Sequence, residues 1–130
     1  MSFTKTEKKI NLLLLEQYSS IGGAEIVALN LLEALHSQID MHCILPKEGK
    51  LSQVLSEKGC QVAYYEIPPI RSTINERRKA LSYIEKYIDE FKIDLVYTPM
   101  IRCGYFGSIV AKRKKIPFVW HLNEVISPLK

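Results

Sequence analysis

Apolar and polar positions fall into blocks whose periodicity changes along the chain. Ile10-Asn11-Leu12-Leu13-Leu14-Leu15 is almost wholly apolar, as suits a strand buried on both faces. Glu16 to Ile21 then leads to Gly22-Gly23-Ala24-Glu25, and a helix is predicted from about Gly23 to His36. Its core stripe is Ala24, Ala28, Leu31 and Leu35, widened by Val27 and Leu32. Met41 to Leu45 reads as a second strand, stopped by Pro46. After the turn Lys47-Glu48-Gly49, the residues Leu51, Val54 and Leu55 carry a short helix. Gly59 suits the left-handed position that closes it. Gln61 to Glu66 is a third strand, broken by Pro68-Pro69, and residues 67–74 form the longest irregular connection. Leu81, Ile84, Tyr87, Ile88 and Phe91 mark one side of a third helix. Asp94 to Tyr97 is a fourth strand, capped by Thr98-Pro99. A fourth helix is expected from about Cys103 to Lys115, where Gly104, Gly107, Ser108 and Ala111 would let its backbone approach the sheet. Ile116 to His121 is the fifth strand, with proline near its start.

Strands alternating with helices predict an α/β domain with a parallel sheet covered on both faces. Right-handed crossovers give the strand order 3-2-1-4-5. The winding then reverses between strands 1 and 4, and a crevice is expected at their carboxyl ends. Gly22-Gly23 and Thr98-Pro99 flank it, with His121 one strand further out. Glycines that turn a strand into a helix N-terminus can offer free N–H groups to an anion. They can equally do no more than relieve sterics in a tight turn, and the stretch alone leaves both readings open.

With 130 residues, 47% of them hydrophobic and 25% charged, the chain is an ordinary globular domain able to bury a core. A net charge of +4 without a basic pattern does not argue for nucleic acid. The polar residues 1–9 and the short apolar run behind them make neither a secretory leader nor a spanning helix. Cys43, Cys60 and Cys103 lack metal-ligand spacing and read as reduced, buried thiols of a cytoplasmic protein.

Four ordered stretches resemble the N-terminal domain of GT-B glycosyltransferases of the retaining group 1, or family 4, type. They are the first strand with Gly22-Gly23-Ala24-Glu25, and Leu45-Pro46-Lys47-Glu48-Gly49-Lys50-Leu51 followed by Leu55, Gly59 and Val62. Asp94-Leu95-Val96-Tyr97-Thr98 and Ile116-Pro117-Phe118-Val119-Trp120-His121-Leu122-Asn123-Glu124 complete the set. The resemblance implies a Rossmann-like three-layer domain across residues 1–130. It implies transfer of a sugar from a nucleotide-diphosphate donor, with retained configuration and no metal or other cofactor. The N-terminal domain of such enzymes shapes the acceptor side, and the C-terminal half holds the nucleotide. By that resemblance Gly22 and Gly23 would meet the donor diphosphate, and His121 would be the catalytic residue beside the donor sugar. Asn123 and Glu124 would contact substrate; Asn123 stands where some relatives have a basic residue, and Glu124 also suits a helix cap.

Thr98 and Arg102 sit at the expected crevice and are the acceptor-side candidates. Lys112-Arg113-Lys114-Lys115 could meet anionic lipid at the inner face of a membrane, but it also suits a helix C-terminus. Arg71, Arg77, Arg78 and Lys79 could steer an anionic acceptor or form a solvated face. The acceptor, a glycan or a lipid-linked sugar, is not legible. A dinucleotide-binding domain fails for want of G-x-G-x-x-G, and a phosphate-loop enzyme for want of its lysine motif. A non-catalytic Rossmann-like binding module, or one subunit of a split transferase, is the alternative. The sequence stops at Ser127-Pro128-Leu129-Lys130, directly after the fifth strand, as expected of a domain cut from a longer protein. Such a piece should be inactive alone and prone to self-association.

Overall fold

The computed structural model describes residues 9–17 and 23–120. Nine elements follow one another: β1 (Ile10–Leu15), α1 (Gly23–Leu35), β2 (Ile39–Leu45), α2 (Lys50–Glu57), β3 (Gln61–Tyr64), α3 (Ile74–Phe91), β4 (Leu95–Thr98), α4 (Ile101–Lys114) and β5 (Phe118–Trp120). The strands pair in parallel in the order β3-β2-β1-β4-β5. This is the Rossmann-like arrangement that the alternation predicts. Several boundaries move. β2 starts at Ile39, two residues before Met41, and β3 ends at Tyr64 rather than Glu66. α4 begins at Ile101, so Arg102 lies in its first turn. β5 starts after Pro117, whose carbonyl accepts from the Val96 N–H.

The apolar run of β1 is buried on both faces because it lies in the middle of the sheet, between β2 and β4. Leu13 and Leu15 face one core with Ile84, Ile88, Val96, Phe106 and Val110 from the α3 and α4 side. Leu12 and Leu14 face the other with Cys43, Leu45, Leu51 and Leu55. Asn11 interrupts the run for a reason outside the strand. Its Nδ2 donates to the carbonyls of Phe91 and Lys92 at 3.4 and 3.2 Å, and its N–H donates to Asp94 Oδ2 at 2.9 Å. One amide thereby ties the C-terminus of α3 to the start of the central strand.

Helix ends are set by capping. Thr73 accepts from the Glu76 N–H, and Glu76 Oε1 accepts from the Thr73 N–H, a reciprocal box that starts α3. Gly59, with φ +92°, ends α2 as the sequence suggests. The Gly59 N–H donates to Ser56 O, and the Cys60 N–H donates to Leu55 O. Lys92 and Lys115 take the same left-handed conformation, with φ of 54° and 58°. Gly104 and Gly107 do bring α4 against the sheet. A Cβ on Gly107 would lie 2.9 Å from Thr98 Cγ2, and one on Gly104 would lie 2.5 Å from the Trp120 indole.

His42 lies on β2 under α3. Its Nδ1 is 2.9 Å from the Tyr87 hydroxyl, and its ring packs against Tyr87 and Phe91. Burial holds its pKa below 6.5, while Asp40 opposes the shift weakly. The unfolded chain therefore takes up this proton first. The His42 contribution to stability is intact above pH 6.5 and is lost as pH falls from there through the folded-state value. Urea melts of the native protein and His42→Gln across pH 7.5 to 5 should show this slope in the native protein only.

Candidate functional site

β1 and β4 lie side by side with Leu14 opposite Tyr97, so their carboxyl ends, Leu15 and Thr98, open on the same place. There the winding of the sheet reverses, with β2 on one side and β5 on the other. Gly23 is the first residue of α1, the helix that follows β1. Thr98 ends β4 and is fully buried. Its Cγ2 faces Gly107 of α4, and its Oγ1 has no hydrogen-bond partner among the described residues. A buried hydroxyl without a partner carries a desolvation cost that a bound polar group could relieve.

Arg102 reaches across from the first turn of α4, where its Nη1 donates to the carbonyl of Ile67 at 3.4 Å. The proline-containing connection 65–73 is thus braced against α4 beside the crevice. Arg77 secures the same connection, donating from Nη1 to the carbonyls of Ile70 and Ser72 at 3.0 and 2.7 Å. Of the basic cluster near this loop, Arg77 is therefore a structural clamp. In the run 112–115, Arg113 pairs with Glu85 and Lys114 with Asp89, both at 2.8 Å, and so joins α4 to α3.

Glu16, which the sequence reading did not single out, is fully buried at the carboxyl end of β1. Its Oε1 accepts from the Gln17 N–H at 3.0 Å. Burial first, and the charge of Glu16 after it, push up the Cys43 and Cys103 thiols and the Tyr97 phenol. The one available signal was its position, an acid closing an otherwise apolar strand. Cys43, Cys60 and Cys103 are all buried and free. Burial pushes Cys60 up to about 11 and the other two well above the usual thiol value, which suits packing and not nucleophilic work.

Gly22, His121, Asn123 and Glu124 lie outside the described residues. β5 ends at Trp120, the residue before His121. No helix among the described residues is long and apolar enough to cross a membrane.

Comparison with solved structures gives the same fold at low sequence identity. Anabaena HepE, solved with UDP and glucose, superposes with a TM-score of 0.67 at 20% identity, covering 92% of this chain and 31% of its own. MurG from Acinetobacter baumannii gives 0.71 at 18% identity, over 92% and 36% respectively. A glycosyltransferase from Rickettsia africae gives 0.67 at 16% identity, over 95% and 32%. The chain thus spans about a third of the length of these proteins. No curated protein matches its sequence. The model of Glycosyltransferase Family 4 matches residues 21–128, most of the chain and the region that holds α1, β4 and α4. With the sheet order 3-2-1-4-5 beneath it, this match makes the chain a member of glycosyltransferase family 4 with a Rossmann-like fold.

Proposed function

We propose that this chain is the acceptor-side half of a retaining glycosyltransferase that moves a sugar from a nucleotide-diphosphate donor to a glycan or lipid-linked acceptor. The observation that carries the reading is a family-4 match over residues 21–128, which takes in β4 and α4 on one side of the crevice and α1, the helix that follows β1, on the other. HepE, solved with UDP and with UDP-glucose, supports the donor class. The donor would lie above the carboxyl ends of the strands, against a C-terminal half. N–H groups at Gly22 and Gly23 would bind its diphosphate at the positive end of α1. His121 would donate a hydrogen bond toward the donor sugar or the departing phosphate, where negative charge develops. Thr98 and Arg102 would border the acceptor, with Asn123 and Glu124 contributing further polar contacts. No residue of the account calls for a metal or another cofactor. Work at the inner face of a membrane, in the cytoplasm, fits an acceptor carried on lipid.

The test is to supply the protein encoded by the whole reading frame with a panel of nucleotide-diphosphate sugars and to follow nucleoside diphosphate release. Proton NMR of the product should show the donor's anomeric configuration retained. An inverted product would remove the retaining mechanism, and the absence of release with every donor would count against transfer itself.

Thr98 allows a sharper test, because the expected effects on stability and activity have opposite signs. Thr98→Val keeps the shape that packs against Gly107 and deletes the partnerless hydroxyl. It should raise stability by about 1 kcal/mol or more. If the hydroxyl meets substrate, kcat/KM should fall about tenfold, the worth of one hydrogen bond. An unchanged kcat/KM would take Thr98 out of the site.

A further inference from the structure

We propose that the outer edge of β3 and the groove between it and α3 bind a second copy of this chain. Among the described residues β3 is the last strand of the sheet on its side, so one row of its backbone groups has no strand neighbour there. Gln61-Val62-Ala63-Tyr64 contains neither a charge nor a proline, the usual guards of an open edge. Beside it lies a groove of about 520 Å³, floored by Val62 and Ala63 and walled by Tyr83, Tyr87 and Phe91 of α3. The wall is stiff, because Tyr83 stacks on Tyr65 at 4.4 Å and Tyr87 packs on Phe91 at 4.5 Å.

The charges at the rim select the occupant. Lys86 and Glu90 both border the groove, one helical turn apart on α3, and both are exposed. Neither belongs to an ion pair among the described residues. The other two acids of this stretch, Glu85 and Asp89, already hold Arg113 and Lys114. The rim therefore carries one unpaired cation and one unpaired anion in line along the groove. A two-fold axis perpendicular to the sheet would run β3 antiparallel to its copy and lay the two α3 helices antiparallel on the same face. Lys86 of each chain would then stand against Glu90 of the other, twice per dimer. A surface that complements itself in this way fits an isologous contact. β3 lies at the edge of the sheet opposite β5.

Sedimentation velocity of the 130-residue chain over a wide concentration range tests the proposal. A monomer–dimer equilibrium is expected. Lys86→Glu and Glu90→Lys should each weaken it at least about tenfold, since either turns two attractions into two repulsions. The double swap, Lys86→Glu with Glu90→Lys, should restore the native constant to within a few-fold. Both positions are exposed, so all three variants should keep the native circular dichroism. A chain that stays monomeric, including one whose groove takes an extended peptide or a small aromatic ligand, overturns the proposal. So does a dimer indifferent to the reversals, which would point to the β5 edge with Trp120, or one that the double swap leaves broken.

Discussion

Replacing Phe106 by alanine should cost about 3–5 kcal/mol of stability, the usual cost of emptying an aromatic site in a close-packed core. Among the described residues Phe106 is the largest side chain with no exposed surface, and it belongs to the core that also holds Leu13, Leu15, Val96 and Val110. The neighbourhood is poorly placed to collapse into the gap. Gly107 already brings the α4 backbone as close to Thr98 as it can come, and the helix is pinned to α3 by Arg113 and Lys114. Against a total of about 5–15 kcal/mol for a domain of this kind, the loss removes a large share of the stability. Urea unfolding should show a lower midpoint at an unchanged slope. Phe106→Leu, which keeps most of the volume, should lose much less. A loss below about 1 kcal/mol for the alanine variant would mean that α4 does not seat on the sheet as described. The consequence reaches the candidate site, because Thr98 packs on Gly107 of α4 and Arg102 lies in the first turn of the same helix.

Replacing His121 by alanine in the complete enzyme should lower kcat by about a hundredfold or more, the typical cost of removing one hydrogen-bond donor aimed at developing charge. KM for the donor should change far less, since a contact that strengthens only in the transition state acts on kcat. His121→Gln, which keeps a neutral donor on a flexible stem, should recover part of the loss. An equal rise in KM with kcat preserved would make His121 a ground-state sugar contact. No effect on either constant would leave it a satisfied residue at a strand end.

The layers of this fold are legible in the sequence because they follow from periodicity. A buried parallel strand must be apolar throughout, and Leu12 to Leu15 are; a helix over a sheet must show a 3.6-residue stripe, and Leu81, Ile84, Tyr87 and Ile88 do. Gly59 announces its left-handed turn because glycine accepts that conformation readily. Lys92 and Lys115 make the same turn without announcing it; they close α3 and α4, and the residues after them, Ile93 and Ile116, donate back to the carbonyls of Ile88 and Ala111. Asn11 illustrates the same limit, since its partners at Phe91 and Lys92 are some 80 residues away. The crevice follows from strand order alone, and it is what singles out Thr98 and Arg102 as candidates. That Arg102 spends a hydrogen bond on Ile67, or that Glu16 is buried, depends on how the connection 65–73 and the end of β1 pack. Sequence spacing carries no record of either. The basic run 112–115 had two readings, and the acids that meet Arg113 and Lys114 come from α3, whose facing could not be read from the run itself.

The most direct test of the account is to compare sugar transfer by three samples: the 130-residue chain alone, the protein encoded by the whole reading frame, and the chain mixed with the separately produced remainder. The account expects no turnover by the chain alone, because it supplies only the acceptor side and one edge of the diphosphate site. It expects nucleotide-sugar turnover by the whole protein, and recovery of some activity in the mixture. Turnover by the 130 residues alone would contradict the division of labour between two halves. A reading frame that ends at Lys130, with no nucleotide-sugar binding by its product, would contradict the transferase reading and leave a Rossmann-like binding module.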